Sequence, residues 1–78
     1  MSEITNIDRA KLALAAVETF EAATGSARED SIIDLLDDLM HLCKAAGLDF
    51  YDQLRIARNH FEEELKKERA LFWGEVNR

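Results

Sequence analysis

Two groups of side chains in this sequence have spacings that chemistry could use. Asp37, Asp38 and His41 follow Asp34 by three, four and seven residues, which sets all four on one face of a helix. Further along, His60 is followed at the same helical intervals by Glu63 and Glu64. Carboxylates and imidazoles one helical turn apart can share a divalent ion. Helical bundles build such sites from facing helices. Asp37, His41, His60 and Glu64 are therefore candidate metal ligands, on condition that the two histidines turn toward each other or meet across a dimer interface. The competing reading is a solvated face. His41 lies at the centre of the polar side of its helix, directed away from the apolar residues, and this second reading is the favoured one.

Other reactive arrangements are missing from the sequence. It has no glycine-rich phosphate loop, and no Ser–His–Asp or Cys–His set in credible placement. Cys43 is the only cysteine, so it has no internal disulfide partner. Its place among apolar residues predicts a buried small hydrophobe. The formal net charge is −6. Phosphate neutralisation needs clustered Lys and Arg, so direct nucleic-acid binding is not expected. An acidic surface suits a protein partner with a basic surface, or a metal held between carboxylates. Residues 1–48 carry most of the imbalance, with nine acidic and four basic side chains.

The elements that must position these residues are helices. The chain of 78 residues lacks proline, has three glycines, and is rich in Ala, Leu, Glu and Lys, which suits helices and little else. The segment Ser31–Phe50 organises the rest. Ile32, Leu35, Leu36, Leu39, Leu42, Cys43 and Ala46 recur at three- and four-residue spacing, with Ile33 and Met40 widening the apolar side to roughly half the circumference. A helix with one neighbour needs a narrower stripe, so this helix is expected to touch two.

The first helix is predicted over about 7–24, capped by Asn6 and ended by Gly25. Its apolar side combines Ile7, Ala10, Ala13, Leu14, Val17 and Phe20. The second helix is predicted over 31–46, with Ser26 and Glu29 at capping-box spacing, Asp30 or Ser31 as rival caps, and Gly47 as the stop. Asp49 caps a third helix over about 50–73, along which Phe50, Leu54, Ala57, Phe61 and Leu65 form a stripe. Arg55 and Arg58 lie beside Tyr51, and Glu62–Lys66 and Glu63–Lys67 are expected intrahelical ion pairs. At about 35 Å against about 25 Å, the third helix outruns the second. The excess carries Leu71, Phe72, Trp73 and Val76, too many large apolar groups to leave in water.

One resemblance covers about Ile32–Glu64. Asp34-Leu-Leu, Asp38-Leu-Met-His41, Gly47-Leu-Asp-Phe50 and His60-Phe-Glu-Glu resemble a pattern shared by small uncharacterised proteins of bacterial plasmids, integrative elements and phages. It implies an accessory role on a mobile element, and by analogy inhibition of host defence complexes through an acidic face. A second stretch is similar to the later half of MazG-like nucleoside triphosphate pyrophosphatases, with Asp34 thirteen residues before the Gly47-Leu-Asp49 turn. That resemblance implies magnesium held by Glu18, Glu21 and Asp34. Ser31 stands where that family places a glutamate, and Arg55 and Asn59 only approximate its lysine and asparagine.

The sequence thus predicts an all-α single domain, three helices in an up-down-up arrangement with a long third helix, assembling as a helical-bundle dimer. The leading functional expectation is a non-enzymatic interaction protein of the cytoplasm, without cofactor. Asp34, Asp37, Asp38 and His41 would form one partner-binding face, and Leu71, Phe72, Trp73 and Val76 an assembly surface. The alternative is the magnesium-dependent pyrophosphatase. No basic start joined to an apolar run marks a signal peptide, and no apolar stretch reaches the roughly 18 residues of a membrane span.

Overall fold

The computed structural model of the chain describes residues 4–76, with side chains through residue 68. It contains three helices, α1 (Asn6–Thr24), α2 (Arg28–Ala46) and α3 (Phe50–Val76), and no strand among the described residues. The all-α expectation therefore holds. The chain divides into two compact units, residues 1–48 and 49–78.

In the first unit, α1 begins one residue earlier than the sequence predicts, because Thr5 and not Asn6 is the N-cap. Thr5 Oγ1 accepts from the Asp8 N–H at 3.1 Å, and the Thr5 N–H donates to Asp8 Oδ2 at 3.1 Å, a complete capping box. The far end closes as expected. Gly25 takes the left-handed conformation at φ 76°, which only glycine adopts without strain, and its N–H donates to Glu21 O at 2.8 Å.

The start of α2 corrects the sequence reading. The helix begins at Arg28, three residues before the predicted Ser31, and its N-cap is Ala27, which supplies no side-chain hydrogen bond. The expected Ser26–Glu29 box does not form. Ser26 Oγ donates instead to Asp34 Oδ2 at 2.9 Å, and the Ser26 N–H donates to Thr24 Oγ1 at 3.2 Å. At the other end Gly47 again takes the left-handed conformation at φ 74°. The Leu48 N–H donates to Cys43 O at 2.8 Å and the Gly47 N–H to Lys44 O at 3.3 Å, the paired bonds of a Schellman motif.

Packing between α1 and α2 is confined to the neighbourhood of their three-residue connection, 25–27. Val17 is the buried apolar residue there, Phe20 and Leu35 are half-buried, and Ser31 is fully buried. The expected burial of Ile7 and Leu14 does not occur; both are exposed, as is Leu12. Cys43, expected inside, is half-buried.

The second unit is α3 with its cap. Asp49 Oδ1 accepts from the N–H groups of Tyr51 at 2.9 Å and Asp52 at 3.2 Å, as the sequence predicts. The helix runs to Val76, three residues past the predicted end, and at 27 residues is about 40 Å long. The side chains of Leu71, Phe72, Trp73 and Val76 lie outside the described residues.

Candidate functional site

The best-defined constellation of polar groups lies where α1 and α2 meet. Glu21, in the last turn but one of α1, is held by two residues from the first turns of α2. Arg28 grips it with both arms of the guanidinium, Nε to Oε2 at 2.7 Å and Nη2 to Oε1 at 2.9 Å. The fork geometry of guanidinium and carboxylate favours this bidentate pair. Ser31 Oγ, one turn further along α2, donates to Glu21 Oε2 at 2.8 Å and also lies 3.0 Å from Arg28 O. The Glu21 side chain is only 15% exposed, against 60% for Arg28. Arg28 first, and then Ser31, hold the Glu21 carboxyl below its ordinary value of 4.5. The same pairing raises Arg28. This is a structural clamp: both carboxylate oxygens accept from donors on the neighbouring helix.

The clamp decides the fit of a magnesium ion to Glu18, Glu21 and Asp34. The Glu21 carboxylate is committed to a guanidinium and a hydroxyl, and Asp34 accepts from Ser26. Among the described residues no group of three or more His, Cys, Asp or Glu side chains is placed to hold a metal ion. The residues present do not fit that ion. Within the first unit Asp37 and His41 approach to 3.8 Å one turn apart, with both side chains largely exposed. A pair of that kind contributes tenths of a kcal/mol at most.

Sequence reasoning missed the clamp because it treated Ser26–Ser31 as a capping segment. One signal was present: Arg28 and Ser31 are three residues apart, on one helical face, and an acidic residue precedes Gly25 at the end of α1.

A second candidate is the side of α2 turned away from α1. Ile32 (59%), Ile33 (68%), Leu36 (45%), Leu39 (38%) and Met40 (39%) are all exposed there. They lie on adjoining helical positions, so they form one continuous stripe. Monomeric proteins rarely leave a patch of this kind open unless something binds it.

The third candidate is on α3. Tyr51, Leu54, Arg55, Ala57, Arg58 and Phe61 line an open concavity. Phe50 and Tyr51 meet edge to face, with ring centroids 5.8 Å apart. Both arginines are engaged by their own helix, Arg55 with Asp52 at 2.7 Å and Arg58 with Glu62 at 3.3 Å. The expected Glu62–Lys66 and Glu63–Lys67 pairs are replaced by Arg58–Glu62 and by Glu63–Lys66 at 3.3 Å.

No helix among the described residues is long and apolar enough to cross a membrane. Compared with known proteins, the chain matches no family model, no curated protein and no solved structure.

Proposed function

We propose that this chain is a non-enzymatic helical interaction protein that completes its packing against a protein partner. The observation that carries this reading is the inverted burial of α2. Its side toward α1 buries a serine, while Ile32, Ile33, Leu36, Leu39 and Met40 stand in water. A helix this apolar gains its stability from tertiary packing and not from propensity, so a surface that covers the stripe stabilises the fold as it binds.

The acidic residues Asp34, Asp37 and Asp38, with His41, flank this stripe and select the partner. They favour a protein with a basic surface and repel nucleic acid. Leu71, Phe72, Trp73 and Val76 provide a further apolar surface for assembly on the strength of their sequence alone. The likeness to small mobile-element proteins supports an accessory role in the bacterial cytoplasm, including inhibition of a host defence complex. Nothing in the geometry favours the pyrophosphatase, since Glu21 serves the clamp.

The test is a tagged pull-down from bacterial lysate at low and high salt, with Asp34→Ala/Asp38→Ala and Trp73→Ala variants alongside. Exposed charges are screened within about 10 Å at 0.1 M salt. Retention of a specific protein at low salt, weakened at high salt and by the acidic double variant, is the expected result. Equal retention by that variant removes the acidic face from the reading. Release of pyrophosphate from any nucleoside triphosphate, abolished by Asp34→Ala, would replace it with an enzyme.

A further inference from the structure

The uncovered stripe of α2 has a symmetry that points to its occupant. Ile32, Leu36, Leu39 and Cys43 follow one another at intervals of four, three and four residues. That spacing reads the same in both directions, so it fits a pairing about a two-fold axis, in which one patch serves both subunits. We infer that α2 pairs antiparallel with α2 of a second copy of this chain, Leu36 meeting Leu39 of the second copy and Ile32 meeting Cys43 of the second copy. The inference deepens the proposed function by naming one partner, and it rests on that reading's claim that the stripe is a binding surface.

Size and charge both support a second copy. Ile32, Ile33, Leu36, Leu39 and Met40 are 38–68% exposed, which leaves on the order of 450 Å² per copy and about 900 Å² in the pair, at the lower end for a specific interface. The ends of α2 carry opposite charges, Glu29 and Asp30 in the first turn and Lys44 in the last. In the antiparallel register each Lys44 is level with Ser31 of the second copy, within reach of its acidic first turn. A parallel pair would instead set Glu29 and Asp30 against their own equivalents, and like charges at an interface repel. The pairing is short, about two heptads, with a and d positions meeting across the seam. The clamp stays clear of the seam, because Ser31 faces an arc well away from Ile32, Leu36 and Cys43.

The register is testable through the cysteine already present. Position 32 and Cys43 are 11 residues apart on one helix, about 16 Å along its axis, too far for a disulfide within a copy, whose Cα atoms must approach to about 4.4–6.8 Å. In the antiparallel pair they face each other across the seam, while the two native Cys43 residues are about 16 Å apart. Full-length chain carrying Ile32→Cys should form a covalent dimer on mild oxidation, and the native chain should not. Sedimentation of the unoxidised native chain should give a dimer, which Leu36→Asp weakens on the order of 100-fold while circular dichroism confirms retained helix. Lys44→Glu should weaken association at low salt, and Glu29→Lys in the same chain should restore it.

A monomer at all concentrations overturns the inference and leaves the protein-partner reading to the pull-down. A native dimer that cross-links through Cys43 alone, or that fails to cross-link with Ile32→Cys, overturns the antiparallel seam. Should Leu36→Asp unfold, the cross-link and the charge exchange decide the matter without it.

Discussion

The two sides of α2 make an instructive contrast. Toward α1 the buried residue is Ser31, small and polar, with Leu35 half-covered beside it. On the opposite side the larger aliphatic residues Ile32, Ile33 and Leu36 remain exposed. Hydrophobicity alone would have reversed that order. What selected the covered side is the connection. A link of three residues brings the last turns of α1 onto the first turns of α2 and no further. Within that small contact a charged acceptor, Glu21, found a fork of donors in Arg28 and a hydroxyl in Ser31. Apolar spacing says that a helix face wants a neighbour, and chain geometry says which neighbour can reach it.

The sharpest way to break the contrast is to place a charge on the open side. Leu36→Asp should abolish association at working concentrations and leave the α1–α2 contact intact, read by sedimentation and by melting at low protein concentration. On the closed side, Val17→Ala should lower stability by about 1.5 kcal/mol, since two buried methyl groups are lost. Ser31→Ala should cost about 1 kcal/mol by removing a buried hydroxyl donor, and denaturant melts of the monomeric Leu36→Asp background would measure both. Equal effects from Ile33→Ala, which is 68% exposed, would erase the distinction between the sides.

Acid provides a finer probe. Because the folded-state value of Glu21 is lowered from 4.5, its contribution is complete above that value and is lost as pH falls below it, toward the lowered folded value. Glu21→Gln should therefore flatten the loss of stability below about pH 4.5, the unfolded-state carboxyl value. The smallest expected effect is that of Asp37→Asn. With Asp37 and His41 largely exposed, the change should alter stability by no more than a few tenths of a kcal/mol.

Helix identity was legible in the sequence because three- and four-residue spacing and glycine stops are local signals. Gly25, Gly47 and Asp49 act at the positions their residue types predict. Thr5 was legible as well, since Asp8 completes its box, but Asn6 is as good a cap by type and drew the prediction one residue on. The clamp was not legible. Glu21, Arg28 and Ser31 acquire their meaning only when the Gly25–Ala27 link folds back, and Ser31 by type reads as a cap. Burial was misjudged for Ile7, Leu14 and Cys43 for a related reason: periodicity reports which side is apolar, not how far a neighbouring helix extends along it.

Ala27 carries one more consequence. It caps α2 without a side-chain hydrogen bond, so the first turn of that helix lacks the local support that Thr5 gives α1 and Asp49 gives α3. Arg28 and Ser31 lie in or next to that turn, and what anchors them is a carboxylate on a different helix. Coil-to-helix conversion at residues 28–30 should therefore be coupled to docking onto α1. Losing Glu21 should let these amides exchange with solvent sooner than those of the mid-helix, and the helix would shorten toward Ser31, where local rules alone would start it.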